Sequence, residues 1–234
     1  MIKLSVIVPV YNERSTVESI IDRVNRVPCE KEILVVDDGS TDGTLTILAG
    51  LAKQDPDVIR IFLHPANMGK GAAIRTALES VTGDIVVIQD ADLEYHPEDY
   101  PAGIRLIEQG WADAVYGSRF LGPHRVFLFW HYVGNKFLTM VCNIMTSGTL
   151  TDMETGFKMI RSDVMRQLNI QSRSFDVEVE ITVKLFRCGY RVFEMPITYT
   201  GRTYEEGKKI TWQDGVRALR ALVMWRWRAR SGKR

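Results

Sequence analysis

The sequence predicts an α/β protein with a mainly parallel central sheet and helices on both faces. Three observations carry this. The first half alternates short apolar runs with helix-length segments. The runs are apolar at nearly every position rather than every second one, the pattern of strands buried on both faces. Each run also stops at a polar, turn-forming cluster, as strands do when they feed loops at one edge of such a sheet.

The elements follow in order. Leu4–Val10 reads as a buried strand, and Ser15 with Glu18 has the spacing of a capping box that starts a helix. Glu32–Val36 is the second strand, followed by the loop Asp37–Gly43 and a helix through Leu45–Ala52. Val58–Leu63 is the third strand, with a helix from Lys70 to Ser80, and Asp84–Ile88 is the fourth. A helix is expected to start near Pro97, since proline suits a first turn, and Ala112–Tyr116 is the fifth strand. The second half is less regular. Val126–Met145 reads as one or two amphipathic helices, Val177–Phe186 as a helix, Arg191–Thr198 as a strand and Thr211–Arg228 as a final helix.

Composition narrows the class. The chain has 234 residues, 45% hydrophobic and 25% charged, with a net charge of +1, which is ordinary globular composition. Cys29, Cys142 and Cys188 are widely spaced, which argues against a disulfide framework or zinc site and favours a reducing compartment. The N-terminus runs directly into a strand pattern without a signal-peptide profile, and no window reaches the ~18 apolar residues of a spanning helix. A cytoplasmic protein, peripheral at the inner membrane face, is expected.

Asp90-Ala91-Asp92 closes the apolar run Ile85–Ile88. Two carboxylates one residue apart suit Mg²⁺ or Mn²⁺, which keep positions free for water and substrate phosphates. Taken alone, the pair is equally consistent with an Asp-rich turn. Yet Tyr11-Asn12-Glu13, Asp37–Ser40 and Asn67 stand at the ends of the other strands, so four clusters converge on one edge. Asp38 could accept hydrogen bonds from a nucleobase or ribose. Gly69-Lys70-Gly71 lacks the third glycine of a dinucleotide fingerprint, and no GxxxxGK[ST] occurs, which disfavours a nicotinamide dehydrogenase or P-loop ATPase.

Pro9–Glu13, Val36–Thr44, Asn67–Gly71 and Asp90–Asp92 resemble the successive motifs of family-two glycosyltransferases, which have the GT-A fold. Gly117-Ser118-Arg119, Asp152–Lys158, Phe175–Glu180 and Arg202 resemble, more loosely, the polyprenyl-phosphate branch of dolichyl-phosphate mannose synthases. The resemblance implies a nucleotide pocket lined by Pro9, Tyr11, Glu13, Val36, Asp38, Asn67, Lys70 and Ala91. It implies Asp90 and Asp92 at the metal and diphosphate, with Glu94 as a further metal ligand. It also implies Arg119 on the acceptor phosphate, and Arg202 with Lys208 or Lys209 on the donor diphosphate.

An inverting, metal-dependent transfer of a sugar from a GDP- or UDP-linked donor to polyprenyl phosphate is therefore expected. A lipid monophosphate needs no strong base, whereas a saccharide acceptor would, with Asp152 or Glu178 as candidates. A catalytically silent sugar-nucleotide or membrane-binding adaptor is the rival from another class. Residues 1–212 read as the catalytic domain and 213–234 as a basic amphipathic helix. From Arg217 onward seven basic residues and no acidic one interleave with Val216, Leu219, Leu222, Val223, Trp225 and Trp227, the make-up of a helix on an anionic leaflet. Core docking is the equal alternative. No nucleic-acid motif accompanies the charge, and the oligomeric state is not legible.

Overall fold

A computed structural model describes residues 2–174, 176–202 and 212–228. Strands β1 (Leu4–Val10), β2 (Lys31–Asp37), β3 (Ile59–Leu63), β4 (Ile85–Ile88), β5 (Ala114–Ser118), β6 (Lys158–Arg161) and β7 (Val192–Pro196) form one sheet. Their order is β3-β2-β1-β4-β6-β5-β7. The pairs β1–β2, β2–β3, β1–β4 and β5–β7 are parallel. Strand β6 alone runs antiparallel, between β4 and β5.

The sheet is buried on both faces. Ile7, Leu34, Val36, Val86 and Ile88 point into one core, shared with α3 (Lys70–Leu78), α5 (Phe129–Thr146), α6 (Ser162–Gln167), α7 (Val177–Arg187) and α8 (Trp212–Arg228). Val6, Val8, Ile33, Val35 and Val87 point into the other, closed by α1 (Val17–Arg26), α2 (Thr44–Gln54) and α4 (Tyr100–Glu108). Successive strand residues face opposite cores, which is why no polar alternation marks the strands in the sequence.

One expectation needs correction. The Ser15–Glu18 capping box does not form: Thr16 and Val17 both donate to the Glu13 carbonyl, and the Thr16 hydroxyl bonds Glu13, so the chain turns there and the helix starts at Val17. Pro97 opens a short 3₁₀ turn, Pro97–Asp99, ahead of α4. The segment after Val126 gives one helix, α5. Strand β6 and helix α6 were not anticipated; four residues, half of them Lys and Arg, carry no readable period.

Helix α8 divides its apolar residues. Ala218, Ala221, Leu222 and Trp225 are buried against the core, whereas Val216, Val223 and Trp227 are exposed. On α5, Trp130, Val133, Phe137, Met140 and Ile144 recur at helical spacing along one side and are all exposed, Trp130 by 78% and Ile144 by 73%. That row is about 21 Å long at ~1.5 Å per residue. Helices α5 and α8 are in contact.

Candidate active site

From β1 the chain winds outward through β2 and β3 on one side and to β4 on the other, so β1 and β4 flank the point where strand order reverses. Crevices at the carboxyl ends of such strands bind ligands. Asp90 and Asp92 stand there, just beyond β4. Leu93 follows in the left-handed region at φ 63°, a strained conformation for a branched side chain that turns Asp92 and Glu94 about the same corner. Opposite, a Cβ on Gly156 would lie 2.5 Å from Asp90 Oδ2, so only glycine lets the 152–157 segment pass this carboxylate.

The charges are arranged in layers. Lys70 Nζ meets Asp90 Oδ1 at 2.7 Å and Glu178 Oε1 at 2.9 Å, and Lys158 Nζ meets Glu178 Oε2 at 2.5 Å. Burial raises the Glu178 pKa, but Lys158 and Lys70 outweigh it and hold the carboxylate below its ordinary range. Burial likewise opposes the Lys70 charge, yet Asp90 and Glu178 keep it more firmly protonated than a free lysine.

Asp92 is pushed up to about 7, first by burial and then by repulsion from Asp90 and Glu94, with Arg202 acting against both. The Arg202 guanidinium lies 3.0 Å from Asp92, 3.6 Å from Glu13 and 3.6 Å from Glu94. Glu94 itself accepts from the Tyr199 hydroxyl at 2.6 Å and the Arg202 amide at 2.7 Å. Glu94, expected as a further metal ligand, here anchors the Tyr199–Arg202 segment.

At the carboxyl ends of β1 and β2, Asn12 N–H donates to Ser40 and Thr41 N–H to Asn12, stitching the two loops together. Pro9 and Glu13 are half-buried there, Tyr11 and Asn67 are exposed at the rim, and Ala91 is buried. Two residues differ from expectation. Val36 gives its side chain wholly to the core. Asp38 does not present open acceptors to a base: it takes hydrogen bonds from the Met68 and Gly69 amides at 2.8 Å and pairs with His64 at 2.7 Å, fixing the β3–α3 loop. Gly39, at φ +74°, allows that loop within 2.7 Å of where a Cβ would stand.

Arg119 stands at the end of β5. Its Nε and Nη2 clamp both oxygens of Asp152 at 2.7 Å, and its guanidinium packs 5.4 Å from the Tyr199 ring centroid. Asp152 is fully buried. It is therefore the counter-ion of Arg119 and not an accessible base, and Glu178, tied between two lysines, is no better placed for that role. Lys136 of α5 lies 3.8 Å over the Phe120 ring and bonds the Thr151 carbonyl. Lys208 and Lys209 lie outside the described residues.

Sequence reasoning missed three groups. Lys158 reads as an ordinary charged residue of the Asp152–Lys158 motif, yet it is fully buried under Glu178. Asp37 Oδ1 and Glu154 Oε1 are buried without a hydrogen-bond partner among the described residues. Asp37 had a signal, the doubled aspartate after β2; Glu154 had none beyond its place in the motif.

A crevice at the reversal point of a mostly parallel sheet, with paired carboxylates, a neighbouring arginine and a second arginine across from them, defines an enzyme of the GT-A glycosyltransferase class. The fold agrees with solved relatives: glucosyl-3-phosphoglycerate synthase from Mycobacterium tuberculosis, crystallised with Mn²⁺, UDP and glucosyl-3-phosphoglycerate, superposes with a TM-score of 0.73 over 96% of this chain and 80% of its own, at 20% identity. Residues 5–168 match the glycosyl transferase family 2 model, and the chain belongs to that family. Among its relatives, the polyprenol monophosphomannose synthase of Mycolicibacterium smegmatis is 29% identical over 84% of this chain and 77% of its own length. The undecaprenyl-phosphate mannosyltransferase of Micrococcus luteus is 31% identical over 86% and 85%. The dolichol-phosphate mannosyltransferase of Pyrococcus furiosus is 30% identical over 88% of this chain and 59% of its own.

Proposed function

We propose that this enzyme transfers a hexose, with inversion, from a GDP- or UDP-linked donor to polyprenyl phosphate at a membrane surface, using Mg²⁺ or Mn²⁺. The observation that carries the reading is the gathering of two charged groups at one edge of the sheet, linked by Tyr199, whose hydroxyl bonds Glu94 and whose ring packs on Arg119. Asp90, Asp92 and Arg202 stand on the donor side, and Arg119 with Lys136 on the other. The three relatives named above act on polyprenyl-type phosphates and are all named for mannose, which makes GDP-mannose the first donor to test.

The residues fit a hard cation. Asp92 is a carboxylate whose pKa is raised first by burial and then by its neighbours Asp90 and Glu94. No group of three or more His, Cys, Asp or Glu among the described residues forms a ready-made cage. That suits an ion taking one or two carboxylates and completing its shell with diphosphate and water. Asp92 would hold it, with Asp90 beside it. When bound, the ion supplies neutralisation of the departing diphosphate. Arg202 adds the chain's own positive charge next to Asp92.

An acceptor monophosphate carries about −1.5 to −2 charge at neutral pH. One of its oxygens attacks the anomeric carbon as the bond to the nucleoside diphosphate breaks, and the diphosphate leaves with the electron pair. No base is needed, consistent with Asp152 and Glu178 being committed to ion pairs. The protein's work is alignment and charge stabilisation. No helix among the described residues is long and apolar enough to cross a membrane. The exposed apolar row of α5, with Val216, Val223 and Trp227 of α8 and exposed Arg217, Arg220, Arg226 and Arg228, suits an anionic bilayer surface instead.

The test is a radiolabel screen of GDP-mannose, UDP-glucose and UDP-N-acetylglucosamine against polyprenyl phosphate and soluble saccharides, with Mg²⁺ or Mn²⁺. Label entering the lipid fraction, lost in Asp92→Ala and on chelation, is the expected result. Transfer only to soluble saccharides, or undiminished transfer by Asp92→Ala, refutes the reading.

A further inference from the structure

Glu154 lies in the segment that joins the two sides of the crevice. Two residues before it, Asp152 clamps Arg119. Two residues after it, Gly156 lies against Asp90 Oδ2. The segment is pinned on either side. The Thr151 and Asp152 amides bond Glu194, the Met153 amide bonds the Thr139 hydroxyl, and the Gly156 amide bonds the Tyr95 hydroxyl. Lys158 further ties the Met153 and Thr155 carbonyls. Glu154 is thus mounted on a rigid bracket.

Its carboxylate has no assigned work. Around it, Lys70 is matched by Asp90 and Glu178, Lys158 by Glu178, and Arg119 by Asp152. Every neighbouring cation already has a counter-ion, and Glu154 is the negative group left over. Its Oε1 is buried with no hydrogen-bond partner among the described residues. An unsatisfied buried oxygen costs roughly 1–3 kcal/mol, more when charged, so a rigid loop that keeps one must be compensated in another state. Burial, with repulsion from Glu178 and Asp152 and against Lys158 and Arg119, raises its pKa to about 7, so near neutral pH the group can either accept from or donate to a hydroxyl.

The location says which hydroxyl. A hexose in transit must lie between the diphosphate, at Asp90 and Asp92, and the acceptor, at Arg119. We infer that Glu154 reads a hydroxyl of the transferred hexose and is a specificity-determining residue for the donor sugar. This rests on the donor reading given above and goes beyond it, since none of the residues assigned there touches the sugar.

The experiment is calorimetric titration of wild-type, Glu154→Gln and Glu154→Ala proteins with Mn²⁺ present, using GDP, UDP, GDP-mannose, UDP-glucose and UDP-N-acetylglucosamine. Single-deoxy analogues of the preferred donor follow. The expected result is nucleoside diphosphate affinity unchanged within about twofold. The extra affinity contributed by the sugar should fall roughly 10- to 100-fold in Glu154→Ala, the worth of one hydrogen bond to a charged group, and less in Glu154→Gln, whose amide oxygen still accepts. One deoxy analogue should bind wild type and Glu154→Ala alike. Without ligand, both variants should melt higher than wild type, because an orphaned carboxylate has been removed.

Several outcomes overturn the inference. Equal weakening of diphosphate and nucleotide-sugar, with a lower melting temperature, makes Glu154 structural. Abolished transfer in Glu154→Gln with sugar affinity intact makes it a proton acceptor. Wild-type binding of GDP or UDP with no gain from any hexose removes the sugar contact but leaves the nucleotide site standing. Binding of none of the five ligands refutes the donor reading itself, and the inference with it.

Discussion

Replacing Asp152 with asparagine keeps its shape and removes its charge, which isolates the ion pair with Arg119. Two bonds of 2.7 Å join the side chains, and the Arg119 amide adds a third at 3.1 Å. Asp152 is 0% exposed and Arg119 7%, so water cannot substitute for the lost carboxylate. The nearest alternative oxygen, Asn135 Oδ1, is 3.5 Å away. Breaking a buried pair from one side costs about 3–5 kcal/mol, a large share of the ~5–15 kcal/mol that folds a domain. At ~2–4 °C per kcal/mol for a chain of this size, the melting temperature should fall by roughly 6–20 °C. Arg119→Met should cost a similar amount, since it strands Asp152. The double variant Arg119→Met/Asp152→Leu should recover most of the loss, because neither charge remains. Urea unfolding followed by circular dichroism gives the cycle. Single effects that add to the double within ~0.5 kcal/mol, or an Asp152→Asn cost under ~1 kcal/mol, would refute the pair. Loss of transfer by a fully stable Asp152→Asn would return Asp152 to the role of base.

Three further outcomes follow from the charge layout and the surface. Asp92 holds its proton up to about 7 in the metal-free protein, well above its ordinary value. Mn²⁺ must displace that proton, so its affinity should drop up to about tenfold per pH unit below 7 and level off above it. For the same reason, metal-free stability should decline as pH rises from about 4 to 7, where the folded state keeps a proton that the unfolded state has released. Flat Mn²⁺ affinity between pH 5.5 and 8.5 by electron paramagnetic resonance would contradict this. On α5, Trp130→Ser with Ile144→Ser should cut sedimentation with anionic vesicles several-fold without lowering the melting temperature, both side chains being exposed. Unchanged vesicle binding, together with a shift from dimer to monomer in solution, would assign that row to a second copy of the chain.

Much of the framework follows from local sequence. Wholly apolar runs ending in Asn12-Glu13, Asp37-Asp38 and Asp90-Ala91-Asp92 demand a sheet covered on both faces, with polar groups collected at one edge. That is a matter of period and turn chemistry, and both act over a few residues. What each polar side chain does is decided by partners far along the chain. Asp38 serves the loop at Met68 and Gly69, Glu94 serves Tyr199 and Arg202, and Asp152 serves Arg119, pairings that span 30 residues or more. The antiparallel β6 is recognisable only from its neighbours β4 and β5. The same holds for charge. In sequence Lys70 and Glu178 are separate candidate site residues, and Lys158 and Glu154 are ordinary charged residues of a motif, with nothing to relate the four. Folding puts them in one low-dielectric space, where three are matched and Glu154 is not, because Coulombic pairing and desolvation depend on distance through space and not on distance along the chain.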